Sequence, residues 1–322
     1  MDLKDRKLIY LLDLNSRTKE TDLAKALNLS KQVVNYRIKK LLNKGVIINC
    51  QTMLSISAFN TPLYAQVYGK FLEAGKKKTE EIINYLKNHP KVGYLAIYGG
   101  RFDFTISIAA KDLQDFDEQL REIFSKYPRE LRQYIVAMRI FNRRFPRNYL
   151  IDLKSKRETK ETFSKPIDQK KIDEIDKKIL SLLVTNSRMP MLEISGKLKI
   201  PFSTVRTRIS LLEKRKIIVG YSLLIDLSKL GYQIYKIFIK TRDRSPSVND
   251  RLMAFATQHP NIPWFQKTLG DHDYELRIEV KDQESFQEII RQLREDFSEV
   301  IEDIETLMVF KEIKEDYGVL LN

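Results

Sequence analysis

Between Leu23 and Ile47 apolar residues fall at the spacing of two short helices joined by a tight turn. Leu23, Ala24 and Leu27 form one inward face, Asn28-Leu29 make the turn, and Ser30 is placed to cap a second helix with Val34, Ile38 and Leu41 inward. Its outward positions are Lys31, Gln32, Asn35, Tyr36 and Lys39, a basic face carrying amides. Such a face, on a helix braced across a partner by a short turn, suits the major groove of DNA. With the preceding apolar run, the pattern predicts helices near 3–14, 20–28 and 31–44, closed by a strand from Val46 to Cys50. Beyond that strand the period drops to two. Leu63–Leu72 alternates as a strand, Lys78–Lys87 is helical, Gly93–Tyr98 and Phe102–Ala109 form a hairpin over Gly99-Gly100, Leu113–Lys126 is helical and Leu131–Ile140 is a last strand.

The whole pattern then recurs. Asn15-Ser16-Arg17 returns as Asn186-Ser187-Arg188, and from that anchor Asp5 matches Asp176, Leu23 matches Ile194, Val34 matches Val205, Arg37 matches Arg208 and Ile47 matches Ile218 without a gap. Further on, Asn88-His89-Pro90 matches Gln258-His259-Pro260, and Gly100-Arg101-Phe102-Asp103-Phe104 matches Gly270-Asp271-His272-Asp273-Tyr274. The chain is a tandem duplication of one unit of about 150 residues. The second copy predicts helices near 173–184, 191–198 and 202–215 and a strand Ile217–Leu224, then Tyr232–Lys240, Val248–Gln258, Trp264–Leu269, Tyr274–Val280, Gln283–Phe297 and Ile301–Phe310 in the order βαββαβ.

The expected class is therefore α+β: two domains of three helices closed by a strand and two ferredoxin-like βαββαβ domains in tandem. Boundaries are expected at 1–50, 51–141, 172–224 and 225–322. Residues 142–171, short of apolar side chains, read as a basic linker that is either solvated or touches phosphates. Each βαββαβ sheet has its helices on one face, so its bare face needs a cover, and the other copy is the obvious one.

Composition sharpens the partner. Lys+Arg 57 against Asp+Glu 43 leaves a net charge of +14, which favours a polyanion. The charge is uneven: roughly +5 to +6 on each helical domain, about +6 on the linker and about −6 on the second βαββαβ domain. One cysteine, Cys50, excludes an intrachain disulfide and a cysteine zinc cluster and fits a reducing cytoplasm. No apolar window is long enough to span a membrane, and the start does not read as a secretory signal. Three histidines, His89, His259 and His272, offer no metal-ligand spacing, and no cofactor is expected. His89 and His259 sit at matched helix ends, where a structural role is expected.

The order of these motifs, from Leu3-Lys4-Asp5 and Ile172-Asp173-Glu174-Ile175-Asp176 through Asn-Ser-Arg, the helix-turn-helix and Gly45-Val46-Ile47 to the Gly-Asp-x-Asp-Tyr hairpin, resembles the Lrp/AsnC family of feast/famine transcriptional regulators. That resemblance implies a winged helix-turn-helix followed by a RAM- or ACT-like regulatory domain that dimerises through its sheet and often senses an amino acid. Members usually carry one unit per chain, so this polypeptide looks like a covalent version of the family dimer. Homo-oligomers of such pseudo-dimeric chains are then expected.

Double-stranded DNA is the expected partner. In the first recognition helix the candidates are Lys31, Gln32, Asn35, Tyr36, Arg37 and Lys39; in the second, Ser203, Thr204, Arg206, Thr207 and Arg208. Amides suit adenine and arginine suits guanine, so unlike half-sites are expected. Arg37 and Arg208 are assigned to phosphate contact or intradomain support. Pro201 replaces the capping Ser30, which is expected to shift the start of the second helix by about a residue. By resemblance, an amino-acid effector would meet Gly100, Arg101 and Asp103 in one hairpin and Gly270, Asp271, His272 and Asp273 in the other, unless these residues only form turns. Two other readings stand beside this one. An architectural DNA-coating protein would use the same basic faces, and a sirohaem decarboxylase would share the two-part fold but lacks here its His-rich and Tyr-rich segments. No catalytic constellation is present, so an enzyme is not expected.

Overall fold

The computed structural model describes residues 1–59, 61, 63–153, 160–163 and 172–321. Each copy opens with three helices: α1 (Leu3–Leu14), α2 (Glu20–Leu27) and α3 (Lys31–Asn43), matched by α6 (Glu174–Thr185), α7 (Met191–Leu198) and α8 (Phe202–Lys214). Strands β1 (Ile47–Leu54) and β7 (Ile218–Ile225) follow them. These two pair with each other, antiparallel, with Cys50 opposite Leu223 and Gln51 opposite Ser222. The pairing interleaves the cores. Leu223, Ile225 and Leu227 complete the first three-helix core, whereas Leu54, Ile56 and Phe59 complete the second. Burial of these side chains, roughly 1.5–3 kcal/mol each, therefore stabilises the pairing of the copies together with the domains themselves.

The second part of copy one is β2 (Leu63–Gly69), α4 (Lys76–Asn88), β3 (Val92–Gly99), β4 (Phe104–Ala110), α5 (Leu113–Ser125) and β5 (Tyr134–Arg144). That of copy two is β8 (Gln233–Thr241), α9 (Pro246–Gln258), β9 (Trp264–Leu269), β10 (Tyr274–Val280), α10 (Gln283–Asp296) and β11 (Ile301–Glu315). Strand β6 (Lys160–Phe163) pairs with the end of β5. The two sheets do more than stack. The strands run β2-β4-β3-β11-β8-β10-β9-β5, and β5 pairs again with β2, so the ladder closes on itself. Two long strands make the closure. In β5, Tyr134–Met138 pairs with β2 and Met138–Arg144 with β9; in β11, Ile301–Val309 pairs with β8 and Met308–Glu315 with β3. This double duty explains why β11 runs past the expected end at Phe310. A closed ladder leaves these strands no open edge for adventitious pairing.

Alternation then sorts every strand into an outer face under its helices and an inner face. Phe104, Ile106 and Ile108 of β4 pack under α4 and α5, and Tyr274, Leu276 and Ile278 of β10 pack under α9 and α10. Inside, the two walls differ. Copy one contributes Tyr64, Tyr68, Tyr94, Tyr98, Thr105 and Ser107, and copy two contributes Lys236, Glu275, Arg277 and Glu279.

The expected linker at 142–171 is, where described, part of the packed structure. Asn142–Arg144 finish β5, and Tyr149 and Leu150 are buried in the first three-helix core. Its basic residues are not solvated as a group: Arg144 and Arg147 are buried because they answer Asp13 and Glu279. The rest of that expectation, 154–159 and 164–171, lies outside the described residues. Among the described residues no helix is long and apolar enough to cross a membrane.

Candidate nucleic-acid interface and interior cavity

The turn between α2 and α3 is made by Asn28 in the left-handed region, φ 52°, and Ser30 Oγ accepts from Val33 N at 3.2 Å to cap α3. With Val34, Ile38 and Leu41 buried, Lys31, Gln32, Asn35, Tyr36 and Lys39 are all exposed. In copy two Lys199 takes the left-handed role at φ 53°. Pro201 sits at the N-cap position, so α8 begins at Phe202, the match of Lys31, and the expected one-residue shift does not occur. Ser203, Arg206 and Thr207 are exposed and Thr204 is half-buried. Arg37 and Arg208 point elsewhere. Arg37 Nη1 lies 2.8 Å from Asp2 and 2.5 Å from Asp5, and Arg208 pairs with Asp173 and, at 3.3 Å, Asp176. Both arginines tie the recognition helix to the start of the first helix, the intradomain support that the sequence allowed.

What aligns the two faces is the Asn-Ser-Arg motif, which the sequence offered only as the anchor of the repeat. Ser16 and Ser187 meet hydroxyl to hydroxyl at 2.6 Å. Arg17 donates to the Ser187 carbonyl, and Arg188 Nη1 donates to the carbonyls of Ser16 at 2.6 Å and Thr18 at 3.0 Å. Arg188 also pairs with Glu20 at 2.9 Å. Ser187 N donates to Cys50 O at 2.8 Å, and Thr52 Oγ1 to Leu183 O at 2.7 Å. The helical domains are thus pinned to each other by strand pairing, a shared core and a reciprocal arginine clasp.

The hairpin residues have structural employment. Gly100 (φ 131°) and Gly270 (φ 155°) hold positive φ where the other copy presses in: a Cβ on Gly270 would stand 2.5 Å from Val136 O. Asp103 Oδ2 accepts from Phe71 N at 2.8 Å, and Asp273 Oδ2 accepts from Thr241 N at 2.9 Å. Arg101 and Asp271 come together directly, at 2.7 Å, with Glu305 also 3.0 Å from Arg101. His272 is buried, stacked on Phe238 at 3.9 Å, with Nε2 2.8 Å from Glu275. His89 and His259 end α4 and α9, each ring Nδ1 accepting from the backbone two residues on.

A cavity opens inside the barrel, lined from both copies. Five cations line it: Arg139, Arg144, Arg147, Lys236 and Arg277. Four are ion-paired, three of them in one buried chain and Lys236 in a separate pair. Asp13 on α1 takes Arg144 at 2.5 Å and Arg147 at 3.1 Å; Arg147 takes Glu279 at 2.8 Å; Arg277 takes Glu279 at 2.6 Å and Glu312 at 2.5 Å; Lys236 takes Glu275 at 2.5 Å. Burial opposes ionisation of Glu279, but Arg147 and Arg277 outweigh it and hold its carboxyl at about 2. The same balance keeps Asp13 and Glu312 below the usual carboxylate range. This chain joins helix α1 to the cavity wall. Its sequence signal is a mismatch between the copies: Asp13 stands where copy two has Val184, buried in the second core.

Two unlike recognition faces on paired winged helix-turn-helix domains, above a barrel of two fused sheets, define a two-headed DNA-binding regulator. Comparison with known proteins agrees. A winged helix-turn-helix DNA-binding model matches residues 1–48, an AsnC-type helix-turn-helix model residues 172–213 and an Lrp/AsnC ligand binding domain model residues 236–319. The regulator LrpA of Pyrococcus horikoshii is 36% identical over 121 residues, 37% of this chain and 83% of LrpA. An uncharacterised HTH-type transcriptional regulator of the same organism is 34% identical over 119 residues, 37% of this chain and 74% of that protein. The activator DecR of Escherichia coli is 26% identical over 123 residues, covering 38% and 81%. The chain belongs to the Lrp/AsnC family of transcriptional regulators. Each of these relatives spans less than half of it, as a one-unit protein must. The solved structure of the sirohaem decarboxylase NirDL follows it from end to end, with TM-score 0.63 at 12% identity over 99% of this chain and 96% of NirDL. At that identity the likeness is one of fold.

Proposed function

We propose that this chain is a sequence-specific regulator that reads an asymmetric DNA site with α3 and α8 and responds to a small effector held between its regulatory domains. Residues 1–50 and 172–224 are its DNA-reading domains, and 51–141 and 225–322 its regulatory ones. The observation that carries the reading is the fixed mounting of two unlike faces, Lys31, Gln32, Asn35, Tyr36 and Lys39 on one and Ser203, Arg206 and Thr207 on the other. A dimer of identical chains reads a palindrome, whereas this frame presents amides to one half-site and an arginine to the other. Effector occupancy at the barrel is coupled to the DNA domains through the buried ion-pair chain that reaches Asp13 on α1. The protein acts in the cytoplasm as a non-catalytic binder and assembles further copies. Selection of bound duplexes from a random pool tests the reading: two unlike half-sites at fixed spacing are expected, and a palindromic consensus refutes it. A footprint that spreads evenly would instead favour a DNA-coating protein. Affinity should fall with salt at a log–log slope of about −0.9 per phosphate neutralised.

A second reading is favoured by the end-to-end likeness to NirDL and by the cation-lined cavity: a tetrapyrrole carboxylate enzyme. Mixing the chain with sirohaem separates the two. A Soret band with release of carbon dioxide would establish the enzyme; its absence leaves the regulator.

A further inference from the structure

In the cavity wall Arg139 and Glu315 stand outside the ion pairs among the described residues. Arg139 makes no ion pair among the described residues, and its buried Nε has no hydrogen-bond partner. Its guanidinium lies over the Tyr64 ring at 4.5 Å, and its Nη2 is 3.5 Å from Gln266 Oε1. Lys236 Nζ approaches the same oxygen at 3.4 Å. Lys236 is already answered by Glu275 at 2.5 Å, which leaves Arg139 as the cavity cation that a bound anion would satisfy. Glu315, at the end of β11, lines the same cavity and forms no ion pair among the described residues. Burial and the nearby Glu312 push its carboxyl above the ordinary value. Tyr317 lines the same cavity.

We propose that this cavity is the effector site and that it takes a small amino carboxylate, the carboxylate received by Arg139 and the cationic nitrogen facing Glu315. The hairpins cannot serve in the same way, because Arg101 and Asp271 already neutralise each other at 2.7 Å. The proposal rests on the effector reading above and moves its location from the hairpins to the barrel interior. It also explains why a fused chain suits an interior site: Arg139 comes from copy one and Glu315 from copy two, and each is present once.

Trp264 lines the cavity and is the one tryptophan in the sequence, so its emission reports entry of a ligand. The full chain is titrated with each of the twenty amino acids, with succinate as a carboxylate lacking the ammonium and with iron-uroporphyrin III. At least one amino acid should shift Trp264 emission saturably while succinate does not. R139Q and the isosteric E315Q should each weaken that amino acid at least tenfold with unchanged circular dichroism and DNA binding, whereas D271N should leave it unchanged. Loss of binding in D271N but not in R139Q and E315Q would overturn the interior site while keeping the effector reading. No response to any amino acid would overturn both, and a response to the porphyrin alone would transfer the cavity to the second reading. Should R139Q fold poorly, E315Q decides the question on its own.

Discussion

Ser16 and Ser187, matched positions in the two copies, meet at 2.6 Å between their hydroxyls, at the centre of a clasp in which Arg17 reaches the backbone of copy two and Arg188 that of copy one. The two serines and the two arginines are supplied once by each copy, and Arg188 also takes the Thr18 carbonyl and Glu20. It aligns two DNA-reading faces before any DNA arrives, so the ordering cost of association is reduced.

The clasp should therefore matter to binding more than to folding. Arg188→Ala removes two hydrogen bonds to carbonyls and the pair with Glu20. The expected cost is about 1–3 kcal/mol in thermal unfolding. DNA affinity should weaken several-fold for every sequence alike, measured by fluorescence anisotropy on matched and scrambled sites. Weakening confined to one half-site would contradict the clasp.

Recognition-helix variants should behave otherwise. Asn35→Ala and Arg206→Ala are exposed changes and should leave stability within about 0.5 kcal/mol. Each should relax preference at one half-site by roughly 1–3 kcal/mol and leave the other intact. Arg37→Ala should do the reverse, lowering thermal stability by releasing Asp2 and Asp5 while the consensus stays the same. Competition binding with single-position operator variants, alongside thermal melts, distinguishes these outcomes.

Asp13→Ala leaves Arg144 buried without its carboxylate and Arg147 with Glu279 alone. Breaking a buried pair from one side costs about 3–5 kcal/mol, far more than the exposed changes above. Chemical denaturation should show it. Val184→Ala, the matched position, deletes only apolar volume and should cost less.

Acid stability should carry the signature of Glu279. Its folded carboxyl is held at about 2 against an ordinary 4.5. A depressed folded value means the stabilisation is fully present above about pH 4.5 and is lost as pH falls toward 2. Glu279→Gln should be less stable than the parent at pH 7 and should lose less stability between those limits. A melting-temperature profile with parallel acid limbs for the two proteins would count against this.

The helices, the repeat and the exposed recognition faces were legible in the sequence because they depend on local spacing: caps, turns and apolar periodicity act over a few residues. Position by position, Ser30, Asn28 and the triad Val34, Ile38 and Leu41 do what their spacing dictates. The family, too, is written in those motifs. Pairing of the bare sheet faces followed from the need to cover them. The closure of the ladder through β5 and β11 did not, because register between distant strands is set by packing and leaves little local trace. Neither did the charged interior. Glu275, Arg277 and Glu279 alternate with apolar residues as they would on a solvated face, and only the approach of the rest of the chain, with Tyr94 on Glu312 and Arg147 on Glu279, decides that this face is buried. Arg101 and Asp271 likewise read as two independent site residues until the fold brought the hairpins together. Sequence determined which faces exist; tertiary structure decided which of them meet water, DNA or each other, since that depends on contacts between residues more than a hundred positions apart.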